Sequence, residues 1–308
     1  APGPLPPSVG VGTCLVPNEP DLPSFLGPLA GLLGGTAVGV EQQVEWALAS
    51  GYRLIDTAFR YGNEGGIGKA LEKAFASGSV RREEVFVTTK IWVDYMDYKS
   101  ALGSVDYSLG KLGLSELDLV LIHWPGDFGR TKDVELRRQR RLETWRALER
   151  AREDGKVRSI GLANFAERHV REILEAGQVR PAVNQFEIHP YNARRALVDF
   201  CKREGIQVMG YCPLGGRNAG GPGTGLTDEL LGDPTVAAVA AAHGRTSAQV
   251  ALRWALQRGV VPIPKASSPE RLAENFDVFG FELSGPEMDA LDGLDRGEFV
   301  VYDSERMP

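Results

Sequence analysis

Eight short apolar segments recur along the chain, and the stretches between them mostly carry helical spacing. The segments span residues 9–14, 53–58, 85–91, 117–124, 159–165, 182–188, 207–213 and 260–265. Helical patterns run over 41–50, 64–76, 98–112, 142–154, 167–175, 194–204 and 247–257. Continuous apolar runs of this length suit parallel strands buried on both faces, and a parallel pair needs a crossover, usually a helix. Gly113, Gly155, Gly177, Gly205 and Gly259 fall where several of the helices should close. Strands alternating with helices in this number predict an α/β fold: a single-domain (β/α)8 TIM barrel over 1–308. Two smaller domains are the alternative that the length also allows.

Composition excludes several classes of partner. Lys and Arg total 35 against 41 Asp and Glu, for a net charge of -6. That argues against nucleic acid or an anionic membrane as the main partner. The basic run Arg137, Arg138, Arg140 and Arg141 reads as a local solvated face where a helix begins. Three cysteines without a C-x-x-C argue against a disulfide framework or a zinc site, so no metal is expected and a cytoplasmic, reducing compartment fits. No apolar run reaches the roughly 18 residues of a membrane span. The opening Ala1-Pro2-Gly3-Pro4 lacks the features of a signal peptide, so 1–8 reads as an irregular arm. Residues 15–38 form a long loop after the first strand, either a lid over the catalytic face or a spacer. The glycine-rich stretch 215–225 and the Gly-Ile-Gly-Lys at 66–69 both lack the remainder of a nucleotide-binding fingerprint.

The chemistry gathers at strand ends, which form the catalytic face of a parallel barrel. Asp56 ends the second strand and Tyr61 lies on the loop after it. Lys90 comes late in a very apolar strand, a costly place for a cation unless it is paired or working. Opposite Asp56 it would form a charge pair, and beside Tyr61 it would favour the phenolate. His123 follows the apolar strand ending at Ile122 and is placed to orient a carbonyl oxygen. His189 is a weaker candidate, and His169 and His243 read as solvent-facing. Lys265 and Arg271 flank a helix start, where two cations and backbone N–H groups suit a phosphate. Trp92 and Trp124 read as walls of a substrate pocket or as ordinary rim packing. The loop 126–132 and the tail 297–308, with Phe299 and Tyr302, are further pocket candidates.

The run Asp56-Thr57-Ala58-Phe59-Arg60-Tyr61-Gly62-Asn63-Glu64 resembles the signature of the aldo-keto reductases, and the likeness extends over nearly the whole chain. The resemblance implies that Asp56, Tyr61, Lys90 and His123 are the catalytic four. It places Asn164 and Gln185 on the nicotinamide amide and Tyr211 against its ring, with Leu214 in the same cofactor-binding segment. Lys265, Ala266 and Arg271 would lie at the 2′-phosphate, and Glu274 and Asn275 at the adenine. Departures from the family pattern stand at Ala163, Ala266, Cys14 and Cys212, where Ser, Ser, Trp and Ser are usual. The implied activity is reduction of an aldehyde or ketone with NADPH, NADH being weaker, by a monomer acting on a small carbonyl substrate. The rival readings are a non-enzymatic NADPH-binding redox sensor or regulatory subunit on the same barrel and, more weakly, a hydrolase with paired carboxylates.

Overall fold

A computed structural model describes residues 10–12, 39–217 and 225–307. Eight strands form one sheet in sequential order: β1 (Gly10–Gly12), β2 (Leu54–Asp56), β3 (Phe86–Ile91), β4 (Leu117–Ile122), β5 (Val157–Ala163), β6 (Val183–Glu187), β7 (Gln207–Tyr211) and β8 (Val260–Pro262). Every neighbouring pair is parallel. The helices are α1 (Val40–Ala49), α2 (Glu64–Ala76), α3 (Tyr98–Leu112), α4 (Val134–Glu153), α5 (Glu167–Ala176), α6 (Arg195–Arg203), α7 (Thr227–Gly232), α8 (Pro234–His243), α9 (Ser247–Gln257), α10 (Pro269–Phe276) and α11 (Gly285–Asp292). The arm 1–8, the loop 15–38 with Cys14 before it, and residues 218–224 lie outside the described residues.

Side-chain alternation sorts the core into two layers. Leu54, Phe86, Leu119, Leu121, Val183, Met209 and Val261 pack together on one face. Ile55, Val87, Val120, Ile122, Ile160, Leu162, Phe186 and Val208 turn the other way, into the layer shared with the helices. Both faces of the strands are therefore buried, which is why they lack the polar alternation of a half-exposed sheet. Glycine is needed where layers touch: a Cβ on Gly161 would lie 2.7 Å from the Val183 carbonyl oxygen. Gly68 in the Gly-Ile-Gly-Lys run sits inside α2, where a Cβ would meet the Lys111 carbonyl oxygen at 2.7 Å. That run is a helix-packing feature.

Three sequence expectations are corrected here. Helix α4 starts at Val134, eight residues earlier than the apolar spacing suggested, because Asp133 caps it and its first two turns are polar. The arginine run is not a uniformly solvated face. Arg137 and Arg141, four apart and so on one side of the helix, are buried, while Arg138 and Arg140 face outward. Arg141 grips both carboxylate oxygens of Glu172, at 2.8 and 2.9 Å, and donates to the Pro125 carbonyl at 3.0 Å. Helices α7, α8 and α11 were not expected. The start of α8 was signalled by Asp233-Pro234, a cap and a first-turn proline, but its alanine-rich body carries no apolar stripe.

His169, expected in solvent, is buried on α5, and its Nδ1 accepts from the Ala166 amide at 3.3 Å. Burial, then the nearby charges of Arg141 and Arg168, push its pKa down to about 3. An unfolded chain holds this histidine near 6.5, so below that pH it binds a proton that the folded chain refuses. Stability should fall as pH drops from 6.5 toward 3, with about 2 kcal/mol of loss from this group by pH 5. Urea unfolding at pH 7 and pH 5 should show that loss in the natural protein and a shallower dependence in His169→Gln.

Candidate active site

The register of β2, β3 and β4 brings the site together. Asp56 pairs with Thr88, Lys90 lies two residues on and pairs with Leu121, and His123 lies two beyond that. A period of two keeps Asp56, Lys90 and His123 on the inner face at the C-terminal ends of their strands. A short 3-10 turn, Phe59–Tyr61, then carries Tyr61 back over the strand ends. Lys90 is fully buried, and its Nζ lies 2.5 Å from Asp56 Oδ1 and 2.9 Å from the Thr57 carbonyl oxygen. The same ammonium reaches the Tyr61 oxygen at 3.4 Å. Asp56 Oδ2 accepts from Gln185 Nε2 at 2.7 Å, so the carboxylate is held from two sides. A buried ion pair is retained at low cost only with such supporting bonds.

His123 is buried, with its ring centroid 5.7 Å from that of Tyr61 in an edge-on arrangement. Burial, then the charges of Lys90 and Arg60, hold its imidazole well below the usual histidine range. It is therefore neutral near pH 7, able to donate one N–H without holding a second proton. No partner among the described residues bonds its Nδ1. Asn164 locks the adjoining backbone: its Nδ2 donates to the His123 carbonyl at 2.9 Å, while its Oδ1 accepts from the Tyr211 hydroxyl at 2.8 Å. Asn164 and Cys212 are non-glycine residues with φ of 63° and 50°, and Phe128 adds a third at 56°. Left-handed backbone of this kind concentrates at functional strand ends.

An aromatic wall rises from the site. Trp92 packs edge-on to His123 at 5.2 Å, and Trp124 meets Phe128 at 5.0 Å and Tyr302 at 6.0 Å. Tyr302 thus brings the C-terminal tail to the same wall. Phe299 does not join it and instead lies under the Arg194 guanidinium at 5.0 Å. Glu187 at the end of β6 anchors the tail by accepting from the amides of Val300 and Val301, at 2.7 and 2.9 Å, and His189 bonds the same carboxylate at 3.0 Å. His189 is therefore tied to this anchor. Arg60 and Phe128 were not among the expected site residues. Both sit in loops at the candidate site, but side-chain direction in a loop cannot be read from spacing.

The expected cofactor residues fall at the ends of β5 to β8 and on the helix after β8. Tyr211 ends β7 half-buried, and Leu214 follows it and packs on the core. Helix α10 opens after β8 with Ser268 as its cap and Pro269 in its first turn. Ala266 is buried, Lys265 is half-buried and Arg271 is exposed, so both cations reach the surface at this helix start. Glu274 accepts from the Thr246 hydroxyl at 2.6 Å, tying α10 to the cap of α9, and Asn275 is buried. Among the described residues no cluster of His, Cys, Asp and Glu is arranged to hold a metal ion, and no helix is long and apolar enough to cross a membrane.

A parallel sheet of sequential strands, with a lysine–aspartate pair beside a tyrosine and a histidine at their C-terminal ends, defines a class. The chain belongs to the aldo/keto reductase family, whose model matches residues 37–296, and it is an oxidoreductase of that family. Among its relatives, the glyoxal reductase of Bacillus subtilis is 40% identical over 259 residues, 84% of each chain. The morphine 6-dehydrogenase of Pseudomonas putida is 42% identical over 269 residues, 87% of this chain and 86% of that one. The solved structure of a Bombyx mori aldo-keto reductase in complex with NADP superposes with a TM-score of 0.80 at 34% identity, covering 97% of this chain and 92% of that one.

Proposed function

We propose that the protein reduces aldehydes or ketones to alcohols with NADPH, and less well with NADH. The observation that carries this reading is the buried Lys90 ammonium, pinned 2.5 Å from Asp56 and 3.4 Å from the Tyr61 oxygen. Bound NADPH would supply the hydride. Tyr61 holds the proton that the carbonyl oxygen must take. Lys90 stabilises the phenolate left behind, and Asp56 keeps the ammonium in place. His123, neutral and buried, donates a hydrogen bond that orients the carbonyl oxygen. Trp92 and Trp124 exclude water from the reacting carbonyl.

The chain's donor set suits the cofactor. The start of α10 offers backbone N–H groups, Lys265 and Arg271 to a phosphate, with Ala266 beside them. Tyr211 presents a half-buried ring, and Asn164 and Gln185 lie next to it with side-chain amides, each also bonded to the catalytic group it supports. Leu214, Glu274 and Asn275 complete the binding strip. A glyoxal reductase among the relatives and a solved neighbour carrying NADP support the same reading. We read the sheet as closed, β8 beside β1, so that the chain is one monomeric (β/α)8 barrel.

Oxidation of NADPH and NADH, followed by absorbance with a panel of aldehydes, ketones and keto acids, tests the proposal. Turnover should be faster with NADPH. The double variant Lys265→Ala/Arg271→Ala should raise KM for NADPH by about tenfold to a hundredfold, as loss of charged hydrogen bonds does, and leave NADH far less affected. Equal loss for both cofactors would remove the 2′-phosphate assignment. Tight NADPH binding without turnover on any carbonyl would replace the enzyme by a nucleotide sensor.

A further inference from the structure

Arg60 is a cation placed next to the chemistry that the mechanism above does not use. It precedes Tyr61 on the same short turn, and its guanidinium carbon lies 5.4 Å from the Trp92 ring centre. The same ring has His123 edge-on to it at 5.2 Å. Arg60 and the imidazole therefore share one indole as a neighbour. The guanidinium is half-buried, and among the described residues no carboxylate or carbonyl takes a hydrogen bond from it. Desolvation is the largest influence on it, lowering its pKa, with the charge of Asp94 opposing. Asp94 is itself paired, its Oδ1 lying 2.6 Å from Arg130. The group of three keeps one net positive charge at the mouth. A guanidinium costs free energy to desolvate, and its planar fork of N–H donors matches a carboxylate bidentately.

We propose that Arg60 makes this enzyme select carbonyl substrates that carry a second, carboxylate group. The guanidinium takes the carboxylate while Tyr61 and His123 take the carbonyl oxygen, and Trp92 forms a wall beside both. The proposal rests on the reductase reading above. It adds a substrate class to that reading: compact oxo-acids rather than uncharged aldehydes. Arg60 is a specificity residue on this account, with no part in proton or hydride movement.

A matched pair of substrates isolates the charge: 4-formylbenzoate and its methyl ester, each assayed with NADPH. In the natural protein the acid should be favoured in kcat/KM, and added salt should raise its KM while moving that of the ester little. In Arg60→Gln the acid-to-ester ratio of kcat/KM should fall by about tenfold to a hundredfold, the loss of a charged hydrogen bond, and the change should lie mainly in KM. Arg60→Lys, which keeps the charge and loses the fork, should fall between the two. A ratio that does not move in Arg60→Gln overturns the proposal, and so does an equal fall for both substrates, which would make Arg60 only a support for Trp92. If the natural protein reduces neither aldehyde nor any other carbonyl, the reductase reading falls and takes this one with it.

Discussion

Tyr61→Phe is expected to lower kcat for carbonyl reduction by about 10²–10⁴-fold, the usual worth of a positioned general acid. The substitution removes one oxygen and little else. Lys90 keeps its bonds to Asp56 at 2.5 Å and to the Thr57 carbonyl at 2.9 Å, so the ammonium stays in place. The binding strip at Tyr211 and α10 is untouched, so NADPH affinity, followed by fluorescence titration, should be unchanged. Near-normal kcat in this variant would show that another group delivers the proton.

The second large effect is on stability. Lys90→Met leaves the Asp56 carboxylate buried without its ammonium, while the Gln185 amide still donates to Oδ2. The side chains of the pair are 0% and 3% exposed, so water cannot replace the lost ammonium. Breaking such a pair from one side costs about 3–5 kcal/mol, whereas removing both charges is often close to neutral. Urea unfolding should therefore rank Lys90→Met well below the natural protein and place Asp56→Asn/Lys90→Met much closer to it. Neither variant should recover kcat. Equal stability of the single and double variants would mean that Asp56 in the folded protein does not depend on Lys90.

These two experiments separate roles that share one cluster. Tyr61 is half-buried at the mouth and its loss should be kinetic. Lys90 lies beneath it in the inner face, so its loss should be both kinetic and structural. Arg60 lies beyond Tyr61, and its loss should be read in substrate charge alone.

Much of this is legible in the amino-acid sequence. The order of strands and helices follows from apolar runs punctuated by glycine, because parallel strands buried on both faces have to be apolar throughout. The placing of Asp56, Lys90 and His123 near strand ends follows from the same reading, since a charged or polar residue interrupts each run there. Strand lengths were overestimated at several ends. β2 stops at Asp56 and β7 at Tyr211 because the chain turns away to carry functional side chains. Helices α7, α8 and α11 leave little periodicity in the sequence, because α8 is alanine-rich and the other two span only six and eight residues.

What the sequence by itself determined was the alternation of elements, the family and the residue types at the strand ends, since these depend on local spacing and composition. Only the tertiary structure decided which groups meet. The bond from Gln185 to Asp56 spans 129 residues, and that from Asn164 to the His123 carbonyl spans 41. The inward turn of Arg137 and Arg141, the burial of His169 and the stacking of Arg60 on Trp92 belong to the same class. Each depends on where a neighbouring element lies. An arginine on a polar helix face is solvated or buried according to whether a carboxylate such as Glu172 stands opposite it, and no spacing along the chain encodes that.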